Sequence, residues 1–204
     1  MFVSQISVLK PYLPKKSVPL VLNYLSKWNV FIKISSKRYT KHGDFRILSN
    51  EIRQISINKT PNKYRFLITL IHELSHLAAY EKYGLNIKPH GNYWKKTFKD
   101  LIKPFLIKSI FPDHLLILLF DHFKNPKASS DSDFDLSIAL SKYDENDGKR
   151  HIFELEKGSA FEIYNGKKFI VYEKRFKRYL CQEIYSKKRY LFNASAKVKP
   201  ILIY

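Results

Sequence analysis

Between Pro61 and Gly84 the chain runs for 22 residues without a glycine or proline. Within that run Phe66, Leu67, Leu70, Ile71, Leu74 and Leu77 recur at the three- and four-residue spacing of one helical face. The pattern predicts a helix over 61–83, opened by Pro61 and stopped by Gly84. A stripe this wide has to be buried, so a fold open to this chain is built around the segment. The stripe also carries His72-Glu73-Leu74-Ser75-His76. Two histidines four residues apart leave a helix on the same face, one turn above the other. At that spacing two ring nitrogens can reach one ion, and a helix fixed in a core holds them still. With seven His and nine Glu in 204 residues, chance supplies only about 0.01 copies of such a pattern.

Zinc accepts neutral imidazole and needs at least one more protein ligand, with a position left open for water. Glu73 points roughly 100° around the helix from His72 and is free to remain a non-ligand. In that place it can take a proton from water activated by the ion and hand it to a leaving amine. For the third ligand the residues offer His42, His90, His114, His122 and His151, or a carboxylate such as Glu81. His90 is preferred, because Pro89 and Gly91 place it at a turn where the chain can fold back after Gly84. Spacing alone fits an exposed loop or helix-start histidine equally well.

Together, His72-Glu73-Leu74-Ser75-His76 and His90-Gly91-Asn92-Tyr93-Trp94, with 13 residues between His76 and His90, resemble the SprT-like family of zincin metallopeptidases. Its pattern is HExxH followed by a third histidine in an H-G-x-x-[WF] setting. The resemblance covers roughly residues 11–104. It implies one zinc ion held by His72, His76 and His90, with Glu73 catalytic and a protein as substrate, including protein associated with or crosslinked to DNA. It also implies an α+β fold, a zincin-like metallopeptidase domain with a small sheet and the HExxH helix, followed here by a small antiparallel β module. The chain departs from the family in its tail. Many members carry a zinc ribbon of two cysteine pairs, whereas Cys181 is the only cysteine here. The tail is similar to the cysteine-free region of some bacterial members. A second zinc site is therefore not expected, and Cys181, among Tyr179, Leu180 and Ile184, reads as a core residue.

Around the long helix, periodicity predicts helices over 18–28, 92–101 and 113–123, and strands over 30–34, 44–48 and 54–58. Four further strands are expected over 160–164, 168–172, 178–184 and 189–192, the first two joined at Asn165-Gly166, a hairpin signal. The domains follow as 1–124 for the metallopeptidase domain, 125–150 for an acidic linker or loop, and 151–204 for the β module.

Charge is uneven. Residues 1–108 carry 20 basic and 5 acidic side chains, residues 109–150 carry 5 and 8, and residues 151–204 carry 12 and 5, for a net charge of +19. A field of that sign favours polyanions, nucleic acid first. Two tracts place cations among aromatics: Lys37, Arg38 and Lys41 near Tyr39, and Lys174, Arg175, Lys177, Arg178, Lys187, Lys188 and Arg189 among Tyr172, Phe176, Tyr179, Tyr185 and Tyr190. Cations contact phosphates while aromatic faces stack on unpaired bases; a solvated face over an aromatic core is the competing reading. The longest apolar stretch, 115–120, is too short to cross a bilayer. Lys10, Pro11, Pro14, Lys15 and Lys16 break up any leader-like segment. A cytoplasmic protein without a membrane partner is expected. A nucleic-acid-binding regulator that keeps the zincin fold without peptidase activity is the alternative. Glu73 argues against it, since a structural zinc site needs no general base.

Overall fold

The protein is described by a computed structural model covering residues 2–48, 52–84 and 86–202. It is a mixed α+β structure in two compact units, Met1–Asp144 and Glu145–Tyr204.

The first unit opens with α1 (Phe2–Leu9) and α2 (Val18–Lys27), the latter with a proline in its first turn, where the missing N–H costs nothing. Three strands follow, β1 (Val30–Ser35), β2 (Gly43–Ile47) and β3 (Arg53–Asn58), in the order β1-β3-β2. β3 is parallel to β1, aligning Ile32 with Ile55 and Ile34 with Ile57, and antiparallel to β2. As the central strand it is covered from Ile55 to Asn58, while β2 keeps one edge unpaired among the described strands.

Next comes α3 (Lys63–Tyr83), whose Phe66, Leu67, Leu70, Ile71, Leu74 and Leu77 are all fully buried. It packs on β2, β3 and α4 (Asn92–Ile102). The helix begins two residues after Pro61, because the Asn62 side chain accepts from the Arg65 N–H at 3.0 Å and caps it. It ends where Gly84, at φ 79°, donates to the Tyr80 carbonyl. Two more helices complete the unit, α5 (Asp113–Lys124) and α6 (Phe134–Ser141).

Here the structure departs from the expected boundaries. Much of 125–150, read from its charge as linker or loop, belongs to the first unit. α6 buries Leu136 and Leu140 completely in the main core and is capped by the Asp133 side chain. The acidic residues serve as attachments. Asp131 pairs with Arg65 at 2.5 Å, and Asn62 donates to the Leu140 carbonyl and to Asp144 at 2.8 and 2.7 Å. Negative charge in this segment therefore neutralises a largely buried arginine on α3, a use that composition alone cannot distinguish from solvation.

The second unit is one antiparallel sheet of β4 (Arg150–His151), β5 (Ala160–Glu162), β6 (Lys168–Arg175), β7 (Arg178–Glu183), β8 (Arg189–Asn193) and β9 (Lys197–Ile201), ordered β4-β9-β5-β6-β7-β8. The expected hairpin forms, with Gly166 at φ 80° in the β5–β6 turn. β9 lies beyond the four strands expected there, and Pro200 within it, a residue seldom found inside a sheet, pairs with Phe161 of β5. The core holds Ile152, Phe161, Phe169, Val171, Tyr179, Cys181 and Val198, with Phe192 packed against it. Leu180 is buried outside that cluster, on the opposite face from Tyr179 and Cys181 as strand alternation requires. Burial pushes the Cys181 thiol up to about 12, which fits a core side chain rather than a nucleophile.

Candidate metal centre and its cleft

His72 and His76 leave the α3 face turned toward α4, and His90 joins them from the turn that precedes that helix. Its backbone sits at φ 59°, in the left-handed region that non-glycine residues seldom adopt. The Gly91 N–H closes the turn on the Lys88 carbonyl at 2.9 Å. Strain of this kind is sustained where surrounding packing fixes the residue. That packing is Trp94 of α4, wholly buried, with ring centroids 4.7, 5.2 and 4.7 Å from those of His72, His76 and His90. Phe98 lies 5.4 Å from His72 on the same side.

The three Nε2 atoms form a nearly equilateral triangle, 3.2 Å from His72 to His76, 3.0 Å from His76 to His90 and 3.2 Å from His90 to His72. Burial, and then the neighbouring rings, hold His72 well below its ordinary value; the same causes bring His76 to about 4, and burial lowers His90. Each shift favours the neutral ring, and the three nitrogens converge on one point. A proton can bridge only one pair of such nitrogens at a time, whereas a cation satisfies all three. Zinc–nitrogen bonds of about 2.0–2.1 Å in a tetrahedron require nitrogen–nitrogen edges of about 3.3 Å, close to those observed. The donor set fits zinc. Among the described residues no other group of three His, Cys, Asp or Glu converges in this way.

Glu73 is buried, 6% exposed. Burial pushes its carboxyl up to about 8, helped by the Asp44 charge and opposed by Arg38, Lys41 and a hydrogen bond from the Phe45 N–H. A divalent ion beside it opposes that rise. With the three histidines it lines a cleft of about 470 Å³ walled on one side by residues 39–45 and on another by 127–131. His42 and Asp131, 2.5 Å apart, tie these walls together.

Residues 21–108, which contain the sheet, α3 and α4, match the SprT-like family. The chain carries a SprT-like domain. Comparison with curated proteins and with solved structures gives no match. The SprT-like family is associated with zincin metallopeptidases and implies zinc.

The SprT-like domain uses its basic tract differently from the sequence reading. Arg38 turns inward. It donates to Asn58 at 2.7 Å and to the Ser56 hydroxyl at 2.9 Å, and it pairs with Asp44. Lys41 and Arg46 also pair with Asp44, at 3.5 and 2.5 Å, and Lys37 lies over the Tyr39 ring at 5.9 Å. Arg38 is thus committed to bracing β2 against β3, and an arginine so engaged is poorly placed to meet a phosphate. In the second unit Lys174, Arg175, Lys177 and Arg178 gather at the β6–β7 hairpin around Phe176, which is 91% exposed. Lys187, Lys188 and Arg189 lie at the other end of β7, with the Arg189 guanidinium 4.5 Å over the Tyr172 ring and Arg175 paired with Glu173. Gly43, Asp44 and Asp131 also line the cleft, and no motif in the sequence marks them. The Pro/Gly-free helix marks His72 and His76 locally, but nothing local marks which distant loop covers them.

No helix among the described residues is long and apolar enough to cross a membrane.

Proposed function

We propose that the SprT-like domain is a zinc-dependent endopeptidase of zincin-like fold that hydrolyses protein, including protein associated with or crosslinked to DNA. The observation that carries this reading is a buried, non-ligating carboxylate, Glu73, next in sequence to the first of three converging imidazoles. His72, His76 and His90 would hold one zinc ion. Bound there, zinc supplies Lewis-acid polarisation of the scissile carbonyl and lowers the pKa of water. Glu73 accepts the proton of the attacking water and delivers it to the departing amine nitrogen. Trp94 and Phe98 pack behind the histidines and keep their rings from turning. The cleft is lined in part by Gly43, Asp44 and Phe45 of β2, an edge strand beside which an extended segment of substrate would lie. The exposed cations and aromatics of the second unit supply the nucleic-acid contact, phosphates on Lys174, Arg175, Lys177, Arg178, Lys187, Lys188 and Arg189, and bases on the rings. In the first unit Lys37 and Lys41 take that role and Arg38 supports it from beneath.

Glu73→Gln tests the reading. The amide keeps the shape of the side chain and removes the base, so zinc content persists while hydrolysis of a protein substrate, assayed with and without single-stranded DNA, falls roughly 10²-fold or more. A variant that cleaves as fast as its parent removes Glu73 from the mechanism. Failure of both to cleave under either condition favours a regulatory role for the same centre.

A further inference from the structure

Gly43, the first residue of β2, faces Glu73 across the cleft wall. A methyl carbon built at Gly43 would lie 2.9 Å from both Cγ and Oε1 of Glu73, and 2.9 Å from Cγ2 of Thr69 one turn earlier on α3. Carbon atoms in folded proteins do not pack that closely. Gly43 is not among the residues with positive φ, so its backbone would accept any side chain. The glycine is required by space alone.

Three neighbours decide what would yield if that space were filled. β2 is held from behind by pairing of Gly43 with Ile57, by the Asn58 N–H donating to the His42 carbonyl at 2.8 Å, and by Asp44, which binds Arg38, Ser56, Arg46 and Lys41. α3 is fixed by a fully buried stripe. Thr69 is β-branched and confined to few rotamers. The one group free to retreat is the Glu73 side chain, with three rotatable bonds and the cleft before it. The strand also supplies the Phe45 N–H to the carboxylate, so the same stretch of backbone both makes room for it and holds it.

We propose that Gly43 is a positioning residue for Glu73: the missing side chain at the start of β2 forms the seat that fixes the carboxylate beside the histidine triangle. The proposal rests on the peptidase reading of Glu73. A catalytic group displaced by about 1 Å loses on the order of 10²-fold in rate, so a single methyl here acts through geometry rather than through any contact with substrate.

The test is Gly43→Ala in the full chain, followed by zinc content, Tm and steady-state kinetics on a protein substrate. Zinc stays stoichiometric, kcat falls tenfold or more and KM stays near the parent's. In a Glu73→Gln background, where no base remains to be positioned, the same substitution lowers the residual rate by less than about twofold. Adding Thr69→Ser, which removes the second blocking methyl, restores part of kcat. Independently of activity, the Tm loss caused by Gly43→Ala shrinks when Glu73→Ala vacates the seat. An unchanged kcat, an equal rate loss in both backgrounds, or a chain that loses its fold and does not regain it with Thr69→Ser overturns the proposal. If the parent itself does not hydrolyse protein, the peptidase reading fails, and the Tm cycle alone decides whether Gly43 and Glu73 are sterically coupled.

Discussion

Asp44 takes no part in the proposed chemistry, yet it determines where β2 lies against Glu73. Burial alone would raise its carboxyl; hydrogen bonds from Ser56 and Arg38 and the charges of Arg38 and Lys41 outweigh burial and hold it at about 2. An unfolded aspartate titrates near about 3.9. Since the folded value is the lower, the stabilisation is complete above roughly pH 5 and is lost as pH falls toward 2. The metal-free chain should therefore lose stability across that window. Asp44→Asn should be less stable than the parent at pH 7 and should lose less between pH 5 and 2; urea midpoints measured across the range check this, and parallel acid limbs would refute it. At this scale the sequence was uneven as a guide. HExxH places two ligands and the base within five residues, so helical geometry alone brings His72, Glu73 and His76 together. His90 needs the left-handed turn and the Trp94 platform, and for it the family pattern was the deciding signal. Gly43 stands thirty positions before Glu73, and their contact exists only because β2 crosses α3, which no local pattern encodes.

α6 shows how far charge can mislead at the level of an element. Asp131, Asp133, Asp135 and Asp144 made the region look like solvated linker, while Leu136 and Leu140 complete the core against the start of α3. Eight residues are too few for a strong periodic signal, and the partners of the acidic groups, Arg65, His42 and Asn62, are remote in sequence. Leu140→Ala should destabilise the first unit by about 2–5 kcal/mol in urea unfolding, as truncation of a fully buried leucine does. A loss below about 0.5 kcal/mol would return the segment to the status of a loop. The strands of the second unit were easier to read, because Asn165-Gly166 and clean alternation mark turns and faces locally. β9 carries no such mark, and its Pro200, which speaks against a strand locally, is accommodated only by the pairing with β5.

Taken whole, the chain joins a SprT-like domain to a basic antiparallel sheet, and a net charge of +19 is shared between them. If the second unit holds nucleic acid, affinity for single-stranded DNA should fall steeply with salt, because each phosphate neutralised releases condensed counterion. Replacing Lys187, Lys188 and Arg189 together should lower the slope of log affinity against log salt by up to about two units, at about 0.7 per phosphate contact. Lys187 sits at φ 57°, so Lys187→Asn is the replacement its backbone tolerates best. Zinc content should not change. An affinity indifferent to salt and to these substitutions would leave both basic clusters as solvated surface, with the metal centre unaffected. The proposed chemistry depends on that centre, and zinc per chain, by elemental analysis of protein purified without chelators, is the quantity that decides it. The parent and Glu73→Gln should each carry one zinc ion, and His72→Ala, His76→Ala and His90→Ala should each carry far less. A parent without stoichiometric zinc, or a His90→Ala chain that holds it as firmly as the parent, would contradict the account.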